Sequence, residues 1–158
     1  MIRITDYLRE SNILLEGTGT SKLAVLRELA SLMKQSGDVT DVEACLSAVL
    51  ERERLMTTGI GRGVALPHAF SPAAPETAIG YIRLAAGVDF DAVDERPVHH
   101  VFLILGPATT QGRHLKILAR LARLLNHEGF VAGLAAAGTP QALLAAIREH
   151  EEALLPSS

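Results

Sequence analysis

Only one cysteine, Cys45, occurs in the 158 residues, and there is no tryptophan. A lone thiol excludes a disulfide framework and any Cys-rich metal site. Aromatic residues amount to 4%, so a core has to be assembled from Leu, Ala, Ile and Val. Excess positive charge is also missing: 15 Lys and Arg stand against 18 Asp and Glu, a net charge of −3. That balance excludes a chain-wide basic face for nucleic acid. The longest uncharged stretch, Gly129 to Ile147, contains Gly133, Gly138, Thr139, Pro140 and Gln141. It reads as two short helices around a turn, not as a membrane span. The N-terminal MIRITDYLRES carries charges throughout and no apolar h-region, so no signal peptide is expected. The expectation is a cytoplasmic protein without membrane insertion.

Familiar catalytic motifs are absent too. Gly59-Ile60-Gly61-Arg62-Gly63 is not G-x-G-x-x-G, and neither a P-loop nor a G-x-S-x-G elbow occurs. His127-Glu128 lacks the second histidine of H-E-x-x-H. His99 and His100 are neighbours on a predicted strand and must point to opposite faces, which makes them a poor chelating pair. No metal and no cofactor are expected.

What remains is a chain that is 48% apolar and about one domain long. Ile4 to Leu8 could form one helical turn, and Ile13 to Leu15 is a short apolar run. Thr20 or Ser21 caps a helix whose apolar residues recur at helical spacing as far as Met33, stopping at Ser36-Gly37. Thr40 and Glu43 fit a capping box for a second helix ending near Arg54. Val64 to Leu66 reads as a short strand closed by Pro67, and Ala78 to Ala85 as another. Val88 to Val93 reads as loop or a short edge strand. His100 to Leu105 is the most apolar run and reads as a central strand. Thr109 or Thr110 can cap a helix to about Asn126, a shorter one covers about Glu128 to Ala137, and Thr139 with Pro140 opens the last, to about Glu152. This predicts a single α/β domain over 1–152, a small sheet flanked by helices, with a frayed tail over 153–158.

The chemistry points to the segment from Arg52 to Ala69. Alternating glycines at 59, 61 and 63 suit a bending backbone or a close approach. Pro67 stiffens the chain just before His68. His68 can be read as an ordinary strand-end residue or as a nucleophile, since a neutral imidazole can attack a phosphorus centre. His114 shares a helix face with Leu118, Leu121 and Leu125 and sits at the N-terminal end of that buried stripe. It is either a boundary histidine with a backbone partner or a neighbour to a phosphoryl group at the helix N-terminus. Arg52, on the inner side of its helix near the C-terminus, either complements the helix dipole or brings a guanidinium to an oxyanion. Arg54 and Arg62 read as more exposed, and could receive an acidic partner surface. His150 reads as solvated.

The run RERLMTTGIGRGVALPHA, with GVDFDAVDERPV, VFLILGP and HLKILARLARLL downstream in the same order, resembles enzyme IIA of the fructose–mannitol class of the bacterial phosphotransferase system. It is most similar to the nitrogen-regulatory branch, and the resemblance covers roughly residues 3 to 150. It implies a mixed β-sheet sandwiched by helices in one domain. It implies that His68 accepts a phosphoryl group, that the adjacent His114 stabilises it, and that Arg52 supports the phosphorylated state. Ala69 stands where many members have Gly. The implied donor is a phosphohistidine carrier protein, and the acceptor a regulated target or the IIB domain of a transporter. The chain is a phosphotransferase on this reading. Regulation through phosphorylation state is the leading expectation, because no transporter domain is attached, and sugar uptake is the alternative. Met56, Ile60 and Phe70 are candidate docking contacts or core residues.

Overall fold

A computed structural model describes residues 2–154. Their order is a 3-10 turn at Ile4–Asp6, β1 (Leu8–Leu14), α1 (Lys22–Gln35), α2 (Val42–Leu55), β2 (Gly59–Gly61), β3 (Val64–Ala65), β4 (His68–Phe70), β5 (Ala78–Val88) and β6 (Val98–Gly106). A 3-10 turn at Ala108–Thr110 then leads into α3 (Gln111–Leu125), followed by α4 (Phe130–Ala136) and α5 (Pro140–Leu154). Of the tail predicted over 153–158, Ala153 and Leu154 belong to α5, and 155–158 lie outside the described residues.

The strands make one mixed sheet in the order β1-β5-β6-β3-β2, with β4 also on β6. β1 runs parallel to β5, β5 antiparallel to β6, and both β3 and β4 parallel to β6. Alternation along β6 supplies both faces of the sheet. Val101, Leu103 and Leu105 pack with α1 and α2. Phe102 and Ile104 pack with α3, α4 and α5. The result is the helix–sheet–helix sandwich that the sequence predicts. No helix among the described residues is long and apolar enough to cross a membrane.

β3 and β4 lie along one line beside β6, at Val64↔His100 and His68↔Ile104, and Leu66-Pro67 interrupts them. Pro67 has no N–H to give, but its carbonyl still accepts from Ile104 N at 3.0 Å. The chain therefore resumes pairing at His68. On this line Val64 and Leu66 face the α3–α5 side and Ala65 and Ala69 the α1–α2 side, which turns His68 and Phe70 toward α3.

Several local expectations need correction. β1 begins at Leu8, well before the apolar run at 13–15. It is an edge strand whose Arg9, Glu10 and Ser11 are exposed, so polar residues conceal it. The capping box at Thr40 does not form: Asp41 is the N-cap and accepts from Ala44 N at 3.1 Å. Thr40 instead donates from its backbone to Ala73 O at 2.8 Å, and Glu43 pairs with Arg27. Thr110 does not cap α3 through its side chain, because its hydroxyl donates to Pro107 O at 2.7 Å. His150 is half-buried, its Nδ1 2.7 Å from Nδ1 of His127, with its ring edge-on to Phe130. By contrast, Ser21 and Thr139 cap α1 and α5 as expected.

Candidate functional site

Two devices shape the Gly-rich segment. Arg62 and Gly63, with φ of 60° and 75°, form the two-residue turn between β2 and β3. Positive φ at both central positions suits a hairpin connection of this length. Arg62 is held there by Asp94, whose carboxylate accepts from Arg62 N at 3.0 Å. Backbone N–H groups of Arg96 and Arg62 hold the Asp94 carboxyl below its ordinary range. At the other end, Glu53 accepts from Thr58 N at 3.2 Å and from the Thr58 hydroxyl, and pairs with Lys22 at 2.9 Å. That ties the last turn of α2 to the strand that leads to His68.

His68 is half-buried at the first position of β4. Its Nδ1 lies 2.8 Å from Leu66 O. A carbonyl only accepts, so the neutral ring carries its proton on Nδ1 and leaves Nε2 with a lone pair. Two residues on, Phe70 stacks on His114, with ring centroids 4.6 Å apart and planes at 30°. His114 is 2% exposed in the first turns of α3. Burial, then the neighbouring His68 and Arg113, lowers its pKa from the usual 6.5 to about 4. His114 is thus kept neutral mainly by desolvation.

His68, His114 and Arg52 line one cleft of about 550 Å³ between α2, β4 and α3. Leu55 and Leu115 form part of its wall and are 76% and 70% exposed. Arg52 is exposed, not turned inward as its helical spacing predicts. Among the described residues it has no carboxylate partner. The other two arginines are committed elsewhere. Arg54 pairs with Glu51 at 2.8 Å. Arg62 donates from Nη1 to Leu125 O and to Asn126 Oδ1, both at 2.8 Å, at the C-terminus of α3, and its side chain stays exposed. Met56 and Ile60 are exposed, as docking contacts would be, whereas Phe70 is partly buried on His114. Ala69 is buried with the α1–α2 core and also touches the cleft wall.

Sequence reasoning missed the support beneath His114. A methyl group placed on Gly106 would come within 2.6 Å of His114 Nε2 and 3.0 Å of Thr77 Oγ1. Glycine is therefore required where the tip of the ring meets β6. The glycine before Pro107 is visible in the sequence, but Thr77 comes from a distant segment with no local signal.

The fold and the cleft define an α/β domain that presents one histidine from a strand against a second on a helix. Residues 6–150 match the family model described as phosphoenolpyruvate-dependent sugar phosphotransferase system, EIIA 2. The chain is 41% identical over 116 residues to a fructose-specific EIIA component of Haloferax volcanii, covering 73% of this chain and 75% of that one. It is 37% identical over 142 residues to a nitrogen regulatory protein of Bradyrhizobium diazoefficiens, covering 89% and 91%. The crystal structure of the nitrogen regulatory protein IIA-Ntr from Neisseria meningitidis superposes with a TM-score of 0.84 at 28% identity, over 91% and 98% of the chains. The chain belongs to the EIIA type 2 family of the phosphoenolpyruvate-dependent phosphotransferase system, whose work is phosphoryl transfer.

Proposed function

We propose that the chain is a phosphorelay protein that takes a phosphoryl group from a phosphohistidine carrier protein onto Nε2 of His68 and signals through its phosphorylation state. The observation that carries the phosphoryl step is the 2.8 Å contact from His68 Nδ1 to Leu66 O, which leaves Nε2 as the nucleophilic nitrogen in the cleft. The donor's N–P bond breaks as the Nε2–P bond forms, and the electron pair returns to the donor's imidazole nitrogen. Such a transfer depends on positioning and on charge stabilisation at the phosphoryl oxygens. Arg52 supplies a guanidinium for those oxygens, and His114 one N–H from a buried ring. Exposed Leu55 and Leu115 on the cleft wall, with exposed Met56 next in the chain, suit a protein donor, since they offer apolar contact beside His68.

The regulatory role rests on the nitrogen regulatory relatives, of which the Bradyrhizobium protein matches over 91% of its length and the Neisseria structure superposes with a TM-score of 0.84. The 41% identity to a fructose-specific component favours a second reading, in which phospho-His68 passes its group to a IIB domain. The same chemistry serves both. The protein acts in the cytoplasm, where such carriers are found.

The test mixes the protein with phosphoenolpyruvate, enzyme I and the histidine carrier, and reads intact mass. One acid-labile phosphoryl group is expected, dependent on the carrier and absent from His68→Ala. His114→Ala should still accept the group and pass it on poorly. Labelling retained in His68→Ala overturns the assignment. Efficient transfer to a IIB domain would move the role from regulation to uptake.

A further inference from the structure

Buried polar side-chain atoms without hydrogen-bond partners are rare in native proteins, and each one calls for a physical reason. Among the described residues there are four such atoms, and three of them are Thr77 Oγ1, His114 Nδ1 and His114 Nε2. These three belong to one place. Thr77 ends the segment that enters β5, where Ala78 pairs with Leu105 beside Gly106. The bare face of Gly106 looks onto His114 Nε2, Thr77 Oγ1 and Thr110 Oγ1, which a methyl group there would approach to 2.6, 3.0 and 3.1 Å. The three polar atoms therefore ring one small space behind the imidazole.

Their hydrogen atoms are not equivalent. The Thr110 hydroxyl already gives its proton to Pro107 O at 2.7 Å. Thr77 still has a proton to give, and its oxygen is sealed from water. Because Nε2 is the nitrogen turned to this space, Nδ1 is the polar atom that His114 has left for anything bound to His68. A neutral imidazole carries one proton on one of its two nitrogens. A hydroxyl donating to Nε2 fixes that proton on Nδ1.

We propose that Thr77 is a positioning residue for phosphoryl transfer: its hydroxyl donates to Nε2 of His114 when His68 is phosphorylated, and so directs Nδ1–H of His114 to the phosphoryl oxygens. The inference rests on the relay reading above and adds to it a residue that never touches the phosphoryl group. The orphaned atoms of the unphosphorylated protein are then a site waiting for its third member. Once the phosphoryl oxygen accepts from Nδ1–H, the donating chain runs from Thr77 through His114 to the anion, and each bond polarises the next.

The experiment compares the wild-type protein with Thr77→Val and Thr77→Ser, charged by phosphoenolpyruvate, enzyme I and the carrier. Side-chain 15N NMR reads the tautomer of His114, and rapid quench reads transfer from phospho-His68 back to the dephosphorylated histidine carrier. In the phosphorylated wild type, His114 should hold its proton on Nδ1. Thr77→Val should still be charged but transfer about tenfold more slowly, the effect of one ordinary hydrogen bond. Thr77→Ser, which keeps the hydroxyl, should restore the rate. A proton on Nε2 in the phosphorylated wild type overturns the proposal without need of a variant. So does a Thr77→Val protein that transfers at the wild-type rate. If instead His68→Ala still takes up label, the relay reading itself fails, a result distinct from either outcome at Thr77.

Discussion

At the residue scale, two contacts separate the histidines of the cleft from others that look equivalent in the sequence. The Leu66 carbonyl holds His68 in one tautomer. His114 is clamped between Phe70 and the bare backbone of Gly106. His100 also lies on the strand beside the site, yet its Nδ1 is hydrogen-bonded with the Tyr81 hydroxyl at 2.7 Å inside the core. Burial keeps both partners of that bond neutral, raising the phenol and lowering the imidazole to about 4. Arg52 differs from Arg54 and Arg62 in the same way, since those two already have acceptors. Arg52→Lys keeps the charge but loses the planar fork. It should slow onward phosphoryl transfer about tenfold in rapid-quench assays while leaving the fold unchanged. An unchanged rate would reduce Arg52 to a helix-end charge.

At the element scale, much of the molecule can be read directly, and the failures share a cause. α1 and α5 follow from period and caps, α3 from period alone and β6 from its apolar run. β1 escapes notice because an edge strand keeps polar residues on its outer face. β4 escapes because three residues after a proline carry no periodicity. The motif brings His68, His114 and Arg52 into view, and all three line the same cleft. Thr77 and Glu151 lie outside any motif, because their partners are distant in the chain. Glu151 is buried in α5 and accepts from Ile4 N at 2.7 Å and Thr5 N at 3.4 Å, which anchors the first turn of the protein. Glu151→Ala leaves a buried N–H without a partner. It should lower unfolding free energy by about 2 kcal/mol in urea titrations, with phosphorylation of His68 intact. Glu151→Gln, which keeps one acceptor oxygen, should lose less.

For the whole molecule, the two buried histidines set a response to acid. His100 faces Tyr81, Arg83 and His99, and His114 faces His68 and Arg113, and both are held near 4 when folded against 6.5 as the ordinary value. Between those values the unfolded chain binds more protons than the folded one, so stability rises with pH. The stabilisation is complete above about pH 6.5 and is lost as pH falls toward about 4. Each histidine contributes on the order of 3 kcal/mol to that loss. Urea unfolding should show a much lower midpoint at about pH 4.5 than at about pH 7. His100→Phe should flatten the difference by roughly half, and a profile that is flat to begin with would contradict the burial of both rings.

The break at Leu66-Pro67 has a consequence for how copies of this molecule behave in a crowded cell. A sheet edge is a template on which a neighbour's strand can add, and long flat edges invite aggregation. Here β2 covers the two residues of β3, and only the three residues of β4 remain beyond the proline. Pro67 contributes no amide hydrogen to an incoming chain. The interruption that sets the start of β4 at His68 also denies a second molecule a continuous ladder along this side of the sheet.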